Sequence, residues 1–202
     1  MPNLFTDIAT QEPLIPTEEF FERFDEEWRK VTRRFFKFEA LQFYDEGDES
    51  GFAEFQRGEY RAFAEKVRAS HREEKPFYDS AISRGTSFQR LRTVRYPLTD
   101  YLKFEYYTYF VSQEMGETIR FLEEAEMEKA AGFLIPDLVL FDDTALFQYH
   151  YEGDKLTGGY YVRDRDIVQA AGQLMERLFA HGKPFTQIMP ADPAIVLHLK
   201  GE

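Results

Sequence analysis

FQRLRTVRYPLTDYLKFE, residues 88–105, decides the fold class together with ETIRFL at 117–122. FQRLRTVRY is rich in β-formers and reads as a strand. Pro97 has no N–H to give a sheet ladder and suits a helix start, here at about Leu98 with Thr99 and Asp100 in the first turn. ETIRFL returns as a second strand. The resulting β-α-β unit predicts an α/β chain with a mixed, twisted sheet, α+β being the alternative.

The same stretch concentrates charge. On a strand, Arg90 and Arg92 share one face and Arg95 takes the other. On the helix, Tyr101 and Glu105 are four apart and line up on one side. If the unit is tight, Arg120 on the next strand comes back beside them. The sequence therefore predicts a charged layer of Arg92, Glu105 and Arg120 at the sheet surface or at its carboxyl edge, where open α/β sheets place ligands. Two readings stay open: an ion-pair network that fixes the helix on the sheet, or a pocket whose guanidinium forks hold a small anion. Arg92→Ala and Arg120→Ala separate them, since a pocket residue can be lost without unfolding.

Downstream, DLVLFDD and ALFQYHY form a hairpin around Asp143 and Thr144, and a turn at Gly153 and Asp154 leads into LTGGYYV. Asp142 and Asp143 at a strand end, with His150 beyond, are the parts of metal or acid–base chemistry. They are also ordinary hairpin-turn residues whose carboxylates bond to backbone amides. Asp164 or Asp166 caps a last amphipathic helix carrying Ile167, Ala171, Leu174 and Leu178. The glycine pair at 158–159 reads as a bulge or turn.

Upstream, Thr17, Glu18 and Glu19 open a helix whose apolar face runs through Phe20, Phe24, Trp28, Val31 and Phe35. DEGDESG, 45–51, reads as a solvated acidic linker. Tyr60, Phe63, Ala64 and Val67 mark another helix, near whose end His71 sits, and Pro76 opens the next, stopped by Gly85. The expected organisation is an extended arm at 1–16, a helical region at 17–85, an α/β core at 86–181 and an extended tail at 182–202. In that tail IVLHLK is a candidate edge strand.

Composition sets the outer bounds. The chain has 202 residues, 37 acidic against 25 basic, for a net charge of −12. Its global field repels nucleic acid and anionic membranes, so nucleic acid is not an expected partner, while a local basic patch still admits one anion. With no cysteine, disulfides, thiolate catalysis and cysteine-ligated metals are excluded. No motif for a nucleophile, phosphate loop, dinucleotide or zinc is present, and no cofactor is expected. MPNLFTDIATQEPLIP lacks a leader pattern and no window approaches a membrane span, so a cytoplasmic protein is expected.

FFKFEALQFY (35–44), the GFAEFQRGE region, RLRTVRYPLTDYLKFE, GETIRFLE (116–123), DLVLFDDTALFQYHYEGDKLTGGYY (137–161) and the last helix ending in HGKPF resemble, in order, a mainly actinobacterial domain-of-unknown-function family often encoded near helix-turn-helix regulators. The resemblance implies a bacterial protein in a regulatory setting. The C-terminal half also resembles a degenerate phospholipase D-like module. With Asp142 at the Asp of that module's His-x-Lys-x4-Asp pattern, Ile135 falls at the His and Asp137 at the Lys, which implies a non-catalytic version.

Two functions follow as expectations. The first is a non-enzymatic binding or regulatory accessory protein, acting through a protein partner or a small anionic ligand. The second is an enzyme acting on a phosphorylated or other anionic small molecule, with Arg92, Arg95 and Arg120 holding the anion and Glu105, Asp142 or His150 as acid–base groups. The terminal segments are candidate dimer arms.

Overall fold

The structure is a computed structural model that describes residues 3–45 and 50–201. An eight-stranded mixed sheet divides two helical layers. Strands β1 (Ile15–Pro16), β2 (Arg34–Glu39), β3 (Ser87–Val94), β4 (Glu117–Glu123), β5 (Leu138–Phe141), β6 (Ala145–Glu152), β7 (Lys155–Val162) and β8 (Lys183–Pro184) lie in the order β1-β7-β6-β5-β2-β3-β4-β8. β2, β3 and β4 are parallel and the other pairings antiparallel.

Helices α1 (Leu4–Gln11), α6 (Glu124–Ala131) and α7 (Arg165–His181) cover one face, over Phe36, Phe38, Leu91, Leu140 and Leu146. Helices α2 (Thr17–Trp28), α3 (Phe52–Gln56), α4 (Tyr60–Ser83), α5 (Asp100–Glu114) and α8 (Pro193–Lys200) cover the other. The β-α-β unit of the opening stretch is β3-α5-β4. Its helix starts at Asp100, two residues after the expected Leu98, and Thr99 caps it, the hydroxyl accepting from the Leu102 N–H at 3.1 Å.

The N-terminal stripe splits. Periodicity carries one helix through Phe35, whereas α2 ends at Trp28 and Phe35 belongs to β2, beside β3 at the centre of the sheet. A distant carboxylate accounts for the break. Asp142, in the β5–β6 turn with φ of 51°, accepts from the backbone N–H groups of Thr32 at 3.2 Å, Arg33 at 2.9 Å and Arg34 at 2.8 Å. Amides held there cannot continue a helix, and the alternating RFFKFE run takes the extended form. Asp143 pairs with Arg33 at 2.6 Å on the same corner.

Other local expectations yield to packing. The segment read as an extended arm contains α1, capped by Asn3 and docked through Phe5 and Ile8, before β1 joins the edge of β7. Pro76 opens no new helix but lies within α4, whose buried Tyr78 and Ala81 keep it on the sheet beyond the missing N–H. His71 is therefore mid-helix. IVLHLK is not a strand: Asp192 accepts from the Ala194 N–H at 2.8 Å, Pro193 fills the first turn, and Ile195 and Leu199, four apart, are buried in α8. Of the linker at 45–51, residues 46–49 lie outside the described residues. Among the described residues no helix is long and apolar enough to cross a membrane.

The glycine pair in β7 stands beside a bulge, as expected, where Gly158 faces His150 but Leu156 faces Tyr151, and it serves close approach rather than a turn. Gly158 and Gly159 pair with Pro16 and Ile15, and a Cβ at Gly159 would sit 2.3 Å from the Phe20 ring and 2.4 Å from the Gln148 carbonyl oxygen. Gly159→Ala is expected to lower unfolding stability by about 1–3 kcal/mol, the usual cost of forced overpacking. Urea titration of the variant beside wild type measures it; an unchanged midpoint would mean that α2 is not seated on β7.

Candidate functional site

Parallel register places Lys37 beside Arg90 and Glu39 beside Arg92, all on the face under α5. Ordinary strand alternation is enough to cluster these charges. Tyr101, Glu105 and Tyr109 descend from α5 at four-residue spacing and Glu117 joins from β4. Arg90 pairs with Glu117 at 2.7 Å and with Glu39 at 3.2 Å, while Lys37 reaches Glu39 at 2.7 Å. Tyr109 donates to Glu39 at 3.1 Å and Tyr78 to Glu117 at 2.5 Å. Arg92, with no exposed surface, pairs with Glu105 at 2.8 Å. Three cations thus face three carboxylates within a largely buried layer.

Electrostatics follow from that balance. Burial opposes ionisation of Glu39, yet Arg90, Lys37 and Arg92 overcome it and hold its carboxyl well below the ordinary value. Burial likewise disfavours the charged forms of Arg92 and Arg90. Glu105 beside the first, and Glu117 and Glu39 beside the second, raise both guanidinium values well above normal. Burial pushes the Tyr109 and Tyr78 phenols up, and neighbouring carboxylates push them further.

From Arg92 the network runs out to the carboxyl ends of β2 and β3. Arg92 donates to the Tyr44 hydroxyl at 2.9 Å, and Tyr44 donates to Asp137 at 2.5 Å. Asp137 also accepts from Tyr151 at 3.1 Å and from the Ala40 N–H at 2.6 Å. It stands beyond the balanced pairs. Burial raises its pKa, with the Tyr44 and Ala40 hydrogen bonds and the Arg92 charge opposing that shift.

Asp137 lines a cavity of about 510 Å³ between α1, α6 and the sheet edge. Much of its lining is apolar, including Phe5, Met127, Leu134 and Ile135. Gln148, 5% exposed, lines it too: its Nε2 donates to the Phe5 carbonyl at 3.3 Å, and its Oε1 has no partner among the described residues. Arg95 stands at the rim with its side chain 65% exposed, paired with Glu124 at 3.2 Å. The pocket thus offers a buried acceptor, a carboxyl group whose pKa is raised by burial, and a guanidinium in reach of solvent.

The sequence-predicted residues are distributed as follows. Arg92, Tyr101 and Glu105 lie in the layer, with Tyr101 buried among the rings of Phe43, Phe52 and Phe104. Arg95 is at the edge pocket. Arg120 is on the other face, because register sets it opposite Leu91 while Phe121 falls beside Arg92. It donates to the Phe179 carbonyl at 2.9 Å, closing the C-terminal end of α7. Asp142 and Asp143 hold the β2 entry, and His150 is half-buried on β6 near the Tyr160 ring. Lys37, Glu39, Tyr44, Glu117 and Gln148 were not singled out as site residues. Reading RFFKFE as a strand would have exposed the Lys37 and Glu39 pair by its two-residue spacing.

A family model described as a domain of unknown function (DUF6879) matches residues 22–190. The chain belongs to this family. The DUF6879 match contains the whole charged layer, Asp137, Arg95 and Gln148, whereas Phe5, whose carbonyl holds the Gln148 amide, lies outside it. No curated protein matches the sequence. Among solved structures the domain is similar to TrmBL2, an archaeal chromatin protein described as showing a novel mode of DNA binding. The identity is 10% and the TM-score 0.44, over 84% of this chain and 52% of that one. The chain spans about half the length of that protein.

Glu39→Gln in the DUF6879 domain is expected to cost about 3–5 kcal/mol, because it leaves Arg90 buried with half its compensation. The pH dependence has a definite sign. A lowered native value gives stability that is present above the unfolded value of about 4.3 and is lost as pH falls below it toward the native value. Urea unfolding followed from neutral to acid pH should show this acid loss in wild type and a flatter limb in the variant. Equal stability of the two proteins would remove the layer from the account of folding.

Proposed function

We propose that this DUF6879 domain is a non-enzymatic binding or regulatory accessory module that takes a small anionic ligand at the carboxyl edge of its parallel strands. The observation that carries the reading is the buried Gln148 Oε1, without a partner among the described residues, in a mostly apolar pocket rimmed by Arg95. An unmet acceptor costs about 1–3 kcal/mol, which a ligand N–H or O–H recovers. A carboxylate or phosphate on the same ligand reaches Arg95, the candidate arginine with most of its side chain in solvent. Arg92 and Arg90 contribute indirectly, by holding Asp137 and the strand ends in place. The resemblance to a family encoded near helix-turn-helix regulators supports a regulatory setting in a bacterial cytoplasm, with a protein partner reading the occupied state.

The alternative, an enzyme acting on a phosphorylated or other anionic small molecule, uses the same pocket. Its support is the raised pKa of Asp137, which suits a proton donor. Turnover with a bell-shaped pH profile, abolished in Asp137→Asn, would favour it.

Thermal unfolding against a panel of small carboxylates and phosphates bearing N–H or O–H donors tests the binding role. At a hundredfold excess over Kd a ligand adds about 2.7 kcal/mol, or ~5–10 °C for a chain of this size. Arg95→Ala should keep the ligand-free Tm, as an exposed pair contributes little, and should lose the shift. No shift in wild type across the panel, or the same shift in both proteins, would overturn the assignment.

A further inference from the structure

A second cavity, of about 630 Å³, lies on the opposite face of the sheet between α2, α4 and α5, within the size range of small-molecule sites. One wall is aromatic. Trp28 stacks on Phe24 with centroids 6.1 Å apart and 19° between planes, and Phe35 and Tyr78 meet the indole edge-on at 5.0 and 5.6 Å. The indole N–H is buried and has no acceptor among the described residues. An unmet donor carries the same 1–3 kcal/mol cost as an unmet acceptor.

Another part of the lining is polar and has a defined hydrogen-bond sense. His71 Nδ1 lies 2.8 Å from the Val67 carbonyl, which only accepts, so in the neutral ring Nδ1 carries the hydrogen. Nε2 is then the acceptor and takes the Ser112 hydroxyl hydrogen at 3.2 Å. Ser112 oxygen keeps lone pairs for a further donor. Around this run three cations, Lys37, Lys66 and Arg90, against four carboxylates, so the lysines, arginine and carboxylates of the lining sum to −1. That balance does not favour an anion, and no side chain of the lining is an exposed guanidinium like Arg95 at the edge pocket.

We propose that the cleft binds an uncharged planar nitrogen heterocycle of the nucleobase class. Its face lies on the aromatic wall, a ring acceptor meets the Trp28 N–H, and a ring N–H or amino group meets Ser112. Stacking of this kind contributes about 1–3 kcal/mol per base, and the polar edges select a heterocycle over a hydrocarbon ring.

Trp28 is the single tryptophan of the chain, so its emission, excited where tyrosine does not absorb, reports from inside the cleft. Titration with adenosine, guanosine, cytidine and uridine, corrected against free tryptophan titrated in parallel, should give a saturable change with at least one of them. Ala69→Leu, which adds bulk to the cleft from the half-exposed side of α4, should weaken that binding at least tenfold while the far-UV spectrum is unchanged. Ser112→Ala should weaken it severalfold, and Arg95→Ala should leave it unaltered. A response that tracks free tryptophan for all four nucleosides overturns the proposal. So does saturation with equal Kd in wild type, Ala69→Leu and Ser112→Ala.

Discussion

Burying Arg92 completely is the constraint around which the structure is arranged. A guanidinium without exposed surface on a central strand is tolerated only if a carboxylate and further acceptors reach it. Glu105 from α5 supplies the charge and Tyr44 the acceptor, so the helix must lie over β3 in one orientation and the segment after β2 must fold back across the strand ends. Arg90 repeats the requirement two residues earlier with Glu39 and Glu117 on the flanking strands. Replacing such a layer by hydrocarbon is often neutral for stability elsewhere. Its effect here is register: shifting β2 against β3 by one residue would send Lys37 and Glu39 to the opposite, apolar face.

The two cavities are set by the same layer. Glu39 and Arg90 line the cleft under α4, while the Arg92–Tyr44–Asp137 chain ends at the edge pocket. The clearest electrostatic difference between them lies in their carboxyl groups. Glu39 is surrounded by cations and held ionised, whereas Asp137 has one distant cation and a raised pKa. One is fixed by ion pairs, and the other is held by the hydrogen bonds it accepts from Tyr44, Tyr151 and the Ala40 N–H.

Local signals were enough where neighbours in sequence do the packing. Pro97, Thr99 and the alternation of FQRLRTV made β3-α5-β4 legible, and hairpin residues made β5, β6 and β7 so. Strand alternation and helix spacing made a charged layer with Arg92 and Glu105 legible, while leaving open whether the two pair or hold a ligand; in the structure they pair at 2.8 Å. Segments whose state depends on distant residues were not legible. Aromatic spacing through Phe35 fits a helix, and only the Asp142 carboxylate, more than a hundred positions later, shows why the chain is extended there. Missing β2 removed Lys37 and Glu39 from view and left Arg120 as the natural completion of the layer. Strand register, which sequence does not print, is what sent Arg120 to the other face.

The grip of Asp142 on the three amides after α2 also sets an order of events during synthesis. While only the first hundred residues have left the ribosome, nothing supplies that carboxylate, and β2 lacks its antiparallel neighbour β5. The centre of the sheet therefore has its full set of partners only once the β5–β6 turn has been made, because β2 lies between β3 and β5 and its entry is held from that turn.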